Sequence, residues 1–300
     1  MRVAYFLQQV ANGFPLAALY AALAFGYAIA FAVTRRADIT YGAIFAFSGH
    51  LYLLFAHFGW NRLWLVLPAA LALGAVAALA GSLGAGMVVG RLVMRPLARI
   101  SPNAMIVASL GVLLVLMEGA RLASETRELW LPPFLNKPVV FWPGKGFPVS
   151  LTVLQVINIV AMLAMIALGH LVLSHGAWGR KWRAVADDPL AAELTGTNAD
   201  RVFLMSYAVA ALYASACGIL ATCYYGTMDF GAGLLFGLKV VLIAAAGGHS
   251  HPLRSAAGAA VIGFAETLWS GYGPILWRDL MIVSMLVLVL VTSRRERAIP

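Results

Sequence analysis

The sequence predicts an all-α integral membrane protein, a polytopic helix bundle with about 8–9 transmembrane helices, some of them broken or re-entrant. Three observations predict this class. Hydrophobic residues make up 62% of the 300 residues, and charged residues only 11%. The mean hydropathy is +0.87. Because a soluble domain carries about 25% charged residues, the composition excludes a soluble enzyme, and its apolar content excludes a disordered protein.

Nine stretches free of Asp, Glu, Lys and Arg mark the predicted crossings. Two of them are short for the roughly 20 residues that a crossing needs. Residues 240–253 can be lengthened toward the N-terminus only if the charged residue Lys239 is included in the helix. Residues 255–265 can be lengthened toward the C-terminus only if Glu266 is included. We expect these two helices to be broken or buried within the bundle. The stretches are residues 3–34, 39–61, 63–90, 100–117, 146–179, 202–228, 240–253, 255–265 and 280–293.

Positive charge is uneven between the two sides of the predicted bundle. Thirteen of the 21 Lys and Arg residues fall in one set of alternate loops, and seven fall in the other. The positive-inside rule makes the first set cytoplasmic, so the N-terminus is expected in the periplasm and the C-terminus in the cytoplasm. The net charge of +9 therefore indicates loops facing anionic membrane lipid, and not nucleic acid. The thirteen residues are Arg35, Arg36, Arg91, Arg95, Arg99, Arg180, Lys181, Arg183, Arg201, Arg254, Arg294, Arg295 and Arg297.

Two connections are long within what we expect to be a single transmembrane domain, residues 1–300. Residues 118–150 carry five prolines and two tryptophans, which is typical of a periplasmic loop folded at the membrane interface. Residues 176–201 form a cytoplasmic loop and include the most polar part of the chain. Within it, Asp188 followed by Pro189 predicts a helix start, and Gly196 predicts its end. So short a helix needs a protein partner; the alternative is a solvated loop that only sets topology.

The polar loop resembles the cytoplasmic loop of bacterial branched-chain amino-acid ABC transporter permeases of the Liv type. The matching residues include Gly179-Arg180, Arg183-Ala184-Val185-Ala186, Asp188, Gly196 and Asp200-Arg201-Val202. Further motifs follow in the family's order, so the resemblance runs through most of residues 10–295. These motifs are Arg95-Pro96-Leu97, Ser101-Pro102, Tyr224-Tyr225-Gly226, Gly237-Leu238-Lys239, Gly247-Gly248, Gly263-Phe264-Ala265-Glu266 and Arg294-Arg295.

This resemblance implies a permease subunit of an ABC importer in the bacterial inner membrane, moving branched-chain or related amino acids or other small polar solutes inward. It also implies a second homologous permease subunit, two cytoplasmic ATPase subunits and a periplasmic solute-binding protein as partners. The chain itself would be no enzyme and would bind no cofactor, since ATP and Mg belong to the ATPases. No metal site is expected, because His249 and His251 alone supply too few ligands.

By the same resemblance, the cytoplasmic loop is the coupling helix that sits in a groove of the ATPase. Small residues would permit close docking, and acidic residues would meet basic groups on the ATPase. The candidate coupling residues are Arg183, Ala184, Asp187, Asp188, Ala191, Ala192, Glu193, Leu194, Gly196 and Asn198.

Two charges, Lys239 and Glu266, fall inside predicted helices at similar depth. A lone charge at the bilayer centre costs roughly 2.5–3.5 kcal/mol, so we expect a structural or gating ion pair. The alternatives are a substrate contact or separate partners. At the outer end of the sixth crossing, Tyr224, Tyr225 and Asp229 are candidates for contact with the binding protein, or else anchors at the membrane interface.

The cargo stays open, because residues 40–45 and 247–254 depart from the family's pattern. The first of these segments lacks the family's His and the acid after the glycine. Two other functions are alternatives to an importer subunit. An ion-coupled secondary transporter would need inverted repeats and intramembrane acids, of which only Glu266 is a candidate. A passive solute channel would need a filter motif, and none is evident.

Overall fold

The computed structural model describes residues 2–98, 102–125, 127–142, 148–247 and 251–293. Several residues used above lie outside this description. They are Arg99, Ser101, Gly248, His249, Arg294, Arg295 and Arg297.

Helices dominate the described part of the chain, as the hydropathy predicts. A π-helical turn, Gly90–Met94, continues the third helix, and a 3-10 turn, Ile275–Trp277, precedes the last one. The helices are α1 (Arg2–Thr34), α2 (Thr40–Asn61), α3 (Leu67–Val89), α4 (Arg95–Ala98), α5 (Pro102–Ala123), α6 (Val153–His175), α7 (Ala177–Asp187), α8 (Pro189–Leu194), α9 (Ala199–Tyr225), α10 (Ala232–Gly247), α11 (Pro252–Tyr272) and α12 (Arg278–Ser293).

Six of these helices are long and apolar enough to cross a membrane: α1, α2, α3, α5, α6 and α9. The remaining predicted crossings correspond to α10, α11 and α12, which contain 16, 21 and 16 residues. Both conditional extensions occur, since α10 begins at Ala232 and includes Lys239, and α11 continues past Glu266. Each of the nine predicted stretches therefore contains a helix in the described residues, and the all-α polytopic membrane fold is confirmed.

The first helix is the centre of the bundle. In its most apolar window 83% of the residues are buried, against 22% for α5 and for α6. Ala22, Ala24 and Phe25 are completely buried. Because α1 packs chiefly against α11 and α9, it is covered by protein, whereas α5 and α6 are left at the periphery with much of their apolar surface exposed.

The segment between α5 and α6 is shorter than the predicted loop, residues 118–150. Helix α5 continues through Ala123, and within it Glu118 and Arg121 form an ion pair one turn apart, with Oε1 and Nη2 3.2 Å apart. The rest contains a two-stranded antiparallel sheet, β1 (Pro138–Trp142) and β2 (Val149–Thr152). Thr152 then caps α6 in a capping box with Gln155. The described part of the predicted folded segment therefore contains an antiparallel strand pair, and its second strand leads directly into α6.

Glycines bring α2 and α10 into direct backbone contact. A Cβ at Gly42 would overlap the Cα of Gly237 and approach the carbonyl oxygen of Gly233 to 2.5 Å. Only glycine fits such a crossing, since any side chain would force the helices apart. The start of α2 and the first half of α10 therefore form one packed unit.

Candidate functional site

Most of the candidate coupling residues lie in a helical elbow made of α7 and α8, and Gly196 and Asn198 follow it. Asp188 lies between the two helices, and its carboxylate accepts hydrogen bonds from the backbone N–H groups of Leu190 (2.9 Å) and Ala191 (3.1 Å). Pro189 occupies the first position of α8, where its missing N–H costs nothing. After α8, Gly196 has φ +85°, a left-handed conformation that favours glycine. The predicted start and end of the short helix are confirmed.

The elbow presents a largely exposed surface. Leu190 is 70% exposed and Leu194 is 85% exposed, and the side chain of Glu193 is also exposed. Leu190, Glu193 and Leu194 thus form an exposed surface that carries both apolar and acidic groups. Of the ten candidate coupling residues, nine are exposed. The exception is Ala192, which is only 2% exposed.

The burial of Ala192 overturns the expectation that this small residue permits close docking of a partner. Its side chain packs inward in a cluster with Trp182, Val185 and Val202, because α8 must bury one face against the rest of the chain to stay folded. Ala192 positions α8 on the bundle, and the remaining candidates form the surface.

Three side chains fix the elbow to the bundle. The indole N–H of Trp182 donates to the carbonyl oxygen of Ile29 at 3.0 Å, which ties α7 to α1. The guanidinium of Arg183 donates to the carbonyl oxygen of Leu173 near the end of α6. Arg35, which follows α1, donates to two carbonyl oxygens at the end of α7, those of Ala186 (2.6 Å) and Asp187 (2.7 Å). The elbow is thus held by two different helices and the residue after α1.

After α8, a short connection leads from the elbow into α9. Asn198 caps α9 by accepting a hydrogen bond from the N–H of Arg201 at 2.8 Å. Asp200, in the first turn, forms a two-point ion pair with Arg95 of α4. Asn198 therefore has a local structural role in addition to its predicted one. A displacement of α8 would be transmitted to α9 through a short and well-bonded connection.

Lys239 and Glu266 pair, as expected, with Nζ and Oε1 2.9 Å apart. Their side chains are 12% and 5% exposed. The Tyr20 hydroxyl donates to the other carboxylate oxygen of Glu266 at 2.8 Å, and Lys239 also donates to Asp279 at 3.0 Å. Arg278 Nε lies 3.7 Å from Glu266 Oε1. The cluster therefore joins α1, α10, α11 and α12, and it places two cations, Lys239 and Arg278, beside two anions, Glu266 and Asp279. Pairing is thus confirmed, while the gating and substrate roles stay predictions.

The three candidates for contact with a binding protein lie at the end of α9 and just beyond it. Tyr224 and Tyr225 are exposed, with ring centroids 4.7 Å apart in an edge-to-face arrangement. Asp229 is exposed as well, but its carboxylate accepts a hydrogen bond from the N–H of Gly231 at 3.0 Å. Asp229 thereby shapes the turn into α10, and all three side chains remain accessible to a partner.

Sequence reasoning missed a buried carboxylate at the start of α2. The acid expected after Gly42 is absent, but Asp38, just ahead of the helix, is only 7% exposed. It accepts hydrogen bonds from the N–H of Thr40 (2.8 Å) and from the hydroxyl of Tyr207 (2.7 Å). Burial raises the pKa of Asp38, while these hydrogen bonds oppose the rise. The sequence signal was a lone acid beside two arginines, which is also typical of a solvated loop.

Comparison with known proteins agrees with this architecture. The family model described as branched-chain amino acid transport system, permease component, matches residues 9–290. No solved structure matches the chain significantly.

Three curated proteins illustrate the similarity. LivH, the high-affinity branched-chain amino acid transport system permease protein of Escherichia coli K12, is 29% identical over 95% of this chain and 93% of its own length. BraD of Pseudomonas aeruginosa, a permease protein of the same description, is 25% identical over the same shares. The fructose import permease protein FrcC of Rhizobium meliloti is 29% identical over 38% of this chain and 32% of its own length.

The family model spans nearly all of the chain, and the polytopic helical bundle and the capped α8 that the sequence predicted are present. The chain therefore belongs to the family of permease components of branched-chain amino acid transport systems.

Proposed function

We propose that this chain is the transmembrane permease subunit of an ATP-driven importer that moves branched-chain or related amino acids inward. The observation that carries the proposal is the α7–α8 elbow, a rigidly held helix pair with an exposed surface formed by Leu190, Glu193 and Leu194. Such a surface suits docking to a separate motor subunit. LivH and BraD, which align with nearly the whole chain, support the choice of cargo.

The partners of the proposed importer follow from the family. Two cytoplasmic ATPase subunits would hold the elbows of this chain and of a second permease subunit, and a periplasmic binding protein would deliver the solute. Tyr224, Tyr225 and Asp229 would meet that binding protein, which requires the end of α9 to be periplasmic and the elbow cytoplasmic. The excess of positive charge on the elbow's side supports this orientation.

Coupling in such an importer is a population shift between outward-open and inward-open states. A ligand moves this equilibrium only by its different affinity for the two states. ATP binding would close the ATPase pair and favour the state in which both elbows are drawn together. The exposed face of α8 would make the contacts that differ between states, because its buried face is already engaged within the chain.

Recruitment of the ATPase tests the proposal. The full chain is expressed with the ATPase and permease subunits encoded beside it and purified by a tag on this chain. We expect Glu193→Arg and Leu194→Glu each to lower the recovered ATPase by about tenfold, since a central interface contact contributes about 1–2 kcal/mol or more. Membrane insertion should be unchanged, because both side chains are exposed.

Lys137→Glu is the matched control. Lys137 is exposed but lies before α6, and so at the opposite end of that helix from the elbow. It should recover as much ATPase as the wild type. Wild-type recovery with Glu193→Arg and Leu194→Glu would remove the elbow as the docking surface, and no recovery with the unaltered chain would overturn the proposed function.

A further inference from the structure

The connection between α1 and α2 forms hydrogen bonds both to the elbow and to the long helices α1, α2 and α9. It consists of residues 35–39, and Arg35 at its start bonds the end of α7, as described above. Asp38 near its other end bonds α9 through Tyr207 and the first turn of α2 through Thr40. The backbone N–H of Asp38 also donates to the hydroxyl of Tyr27 in α1 at 3.3 Å. One short segment thus contacts the elbow, α1, α2 and α9.

The conformation of this connection is set by the contacts of its side chains. Arg35 has φ +50°, a left-handed conformation that residues other than glycine adopt at a cost. Its backbone N–H bonds the carbonyl oxygen of Phe31 at 2.7 Å, and its guanidinium is engaged with the two carbonyls of α7. Since Arg35 is exposed, these bonds bury little, and their main consequence is that they tie α7 to the connection.

Beyond Asp38, the mechanical link continues through α2. Gly42 lies one turn after Asp38 and is packed against Gly233 and Gly237 of α10 without room for a side chain. A displacement of the first turn of α2 therefore displaces α10 as well. The path from the elbow to α10 runs through Arg35, Asp38 and Gly42, a distance of seven residues in sequence.

We propose that the α1–α2 connection transmits movement of the coupling elbow to α2 and α10, with Arg35 and Asp38 as its two positioning residues and Tyr207 as the partner of Asp38. This inference rests on the proposed function, since it gives the elbow its route into the membrane domain. It assigns the buried carboxylate of Asp38 a role in coupling and none in binding the solute.

The test measures solute transported per ATP hydrolysed. The complete importer, with its ATPases, second permease and binding protein, is reconstituted with Arg35→Gln, with Tyr207→Phe, or with both. In each single variant we expect ATPase recruitment and ATP hydrolysis as in the wild type. Transport per ATP should be about fivefold lower, because a fivefold change corresponds to the free energy that one hydrogen bond contributes. Because the two residues act in series, the double variant should be no worse than the poorer single variant.

Tyr213→Phe is the control, because it removes a hydroxyl from the same helix, one that donates to Met165 at 2.6 Å and lies outside the path. It should leave transport per ATP unchanged. Tyr207→Phe could lower the yield of folded protein. The Arg35→Gln variant, in which the altered side chain is exposed, then tests the inference by its transport per ATP.

Three results would overturn the inference: an unchanged ratio in Arg35→Gln, effects of the two substitutions that multiply, or an equal loss in Tyr213→Phe. A wild-type chain that recruits no ATPase would overturn the proposed function and this inference with it. Normal recruitment with an unchanged ratio would overturn the inference alone.

Discussion

Asp38 shows how a single buried acid is accommodated at the edge of the membrane domain. Its two carboxylate oxygens have separate donors, the N–H of Thr40 and the hydroxyl of Tyr207. Hydrogen bonds of this kind offset part of the desolvation of a charge, and without them the group would be far more costly to bury. Burial nevertheless dominates, so the pKa of Asp38 is raised.

This shift predicts a pH-dependent effect of Asp38→Asn. With a folded-state pKa above the unfolded value, the stability contributed by Asp38 is present below the unfolded pKa and is lost as pH rises through the folded pKa. The amide does not titrate. The free energy of unfolding of Asp38→Asn, relative to the wild type in detergent, should therefore increase as the pH rises above about 4, near the ordinary pKa of an aspartate. Thermal unfolding at several pH values measures it, and a difference that is flat or falls with pH contradicts the assignment.

The ion cluster around Lys239 was only partly predictable. Its two principal members were found because each interrupts an apolar stretch, and a charge in such a place needs a partner. Asp279, Arg278 and Tyr20 could not be assigned to the cluster. The first two look like the ordinary polar start of a helix, and a tyrosine within α1 looks like core. Their participation depends on how α12 and α1 pack against α10, which no local pattern encodes.

At the scale of elements, the crossing of α2 and α10 depends on the absence of a side chain. Gly42→Ala should prevent the two helices from packing, with a loss of about 2 kcal/mol or more, because overpacking a well-packed contact costs roughly 1–3 kcal/mol. The yield of folded protein in detergent and its thermal unfolding temperature measure the effect.

Gly84 provides the control for that substitution. It lies within α3, and a Cβ there would meet no atom within 4 Å. Since alanine is the better helix former by about 1 kcal/mol, Gly84→Ala should leave stability unchanged or raise it slightly. An equal loss in both variants would indicate a general intolerance of glycine substitution, and not a close helix crossing.

The short helix α8 was predictable because its signals are local. Asp188 with Pro189 specifies its start, and Gly196 specifies its end, whatever surrounds them. Helix α7 was not predicted, since Arg180, Lys181 and Arg183 were assigned only to a cytoplasmic loop, with Arg183 as a candidate coupling residue. Its helicity depends on burying Trp182 and Val185 against α1 and α6, which is a tertiary contact. The strands β1 and β2 were missed for a similar reason, as each forms only by pairing with the other.

At the scale of the whole molecule, the bundle divides into a covered and an uncovered part. The most apolar window of α1 is 83% buried and that of α2 is 67% buried, whereas the windows of α3, α5 and α6 are 22–28% buried. The exposed faces of α3, α5 and α6 are apolar, as a surface against lipid must be. The glycine crossing lies in the covered part, and the exposed elbow is bonded to it through the contact of Trp182 with α1 and through the α1–α2 connection.

The central claim is that this bundle transports only when a separate ATPase drives it. Proteoliposomes containing the chain, the second permease, the ATPases and the binding protein should accumulate radiolabelled leucine when ATP is supplied. Vesicles with this chain alone should accumulate none, with or without a proton or sodium gradient. Accumulation by this chain alone under an ion gradient would make it a secondary transporter, and downhill leucine flux through it without ATP would make it a channel; either result would contradict the account.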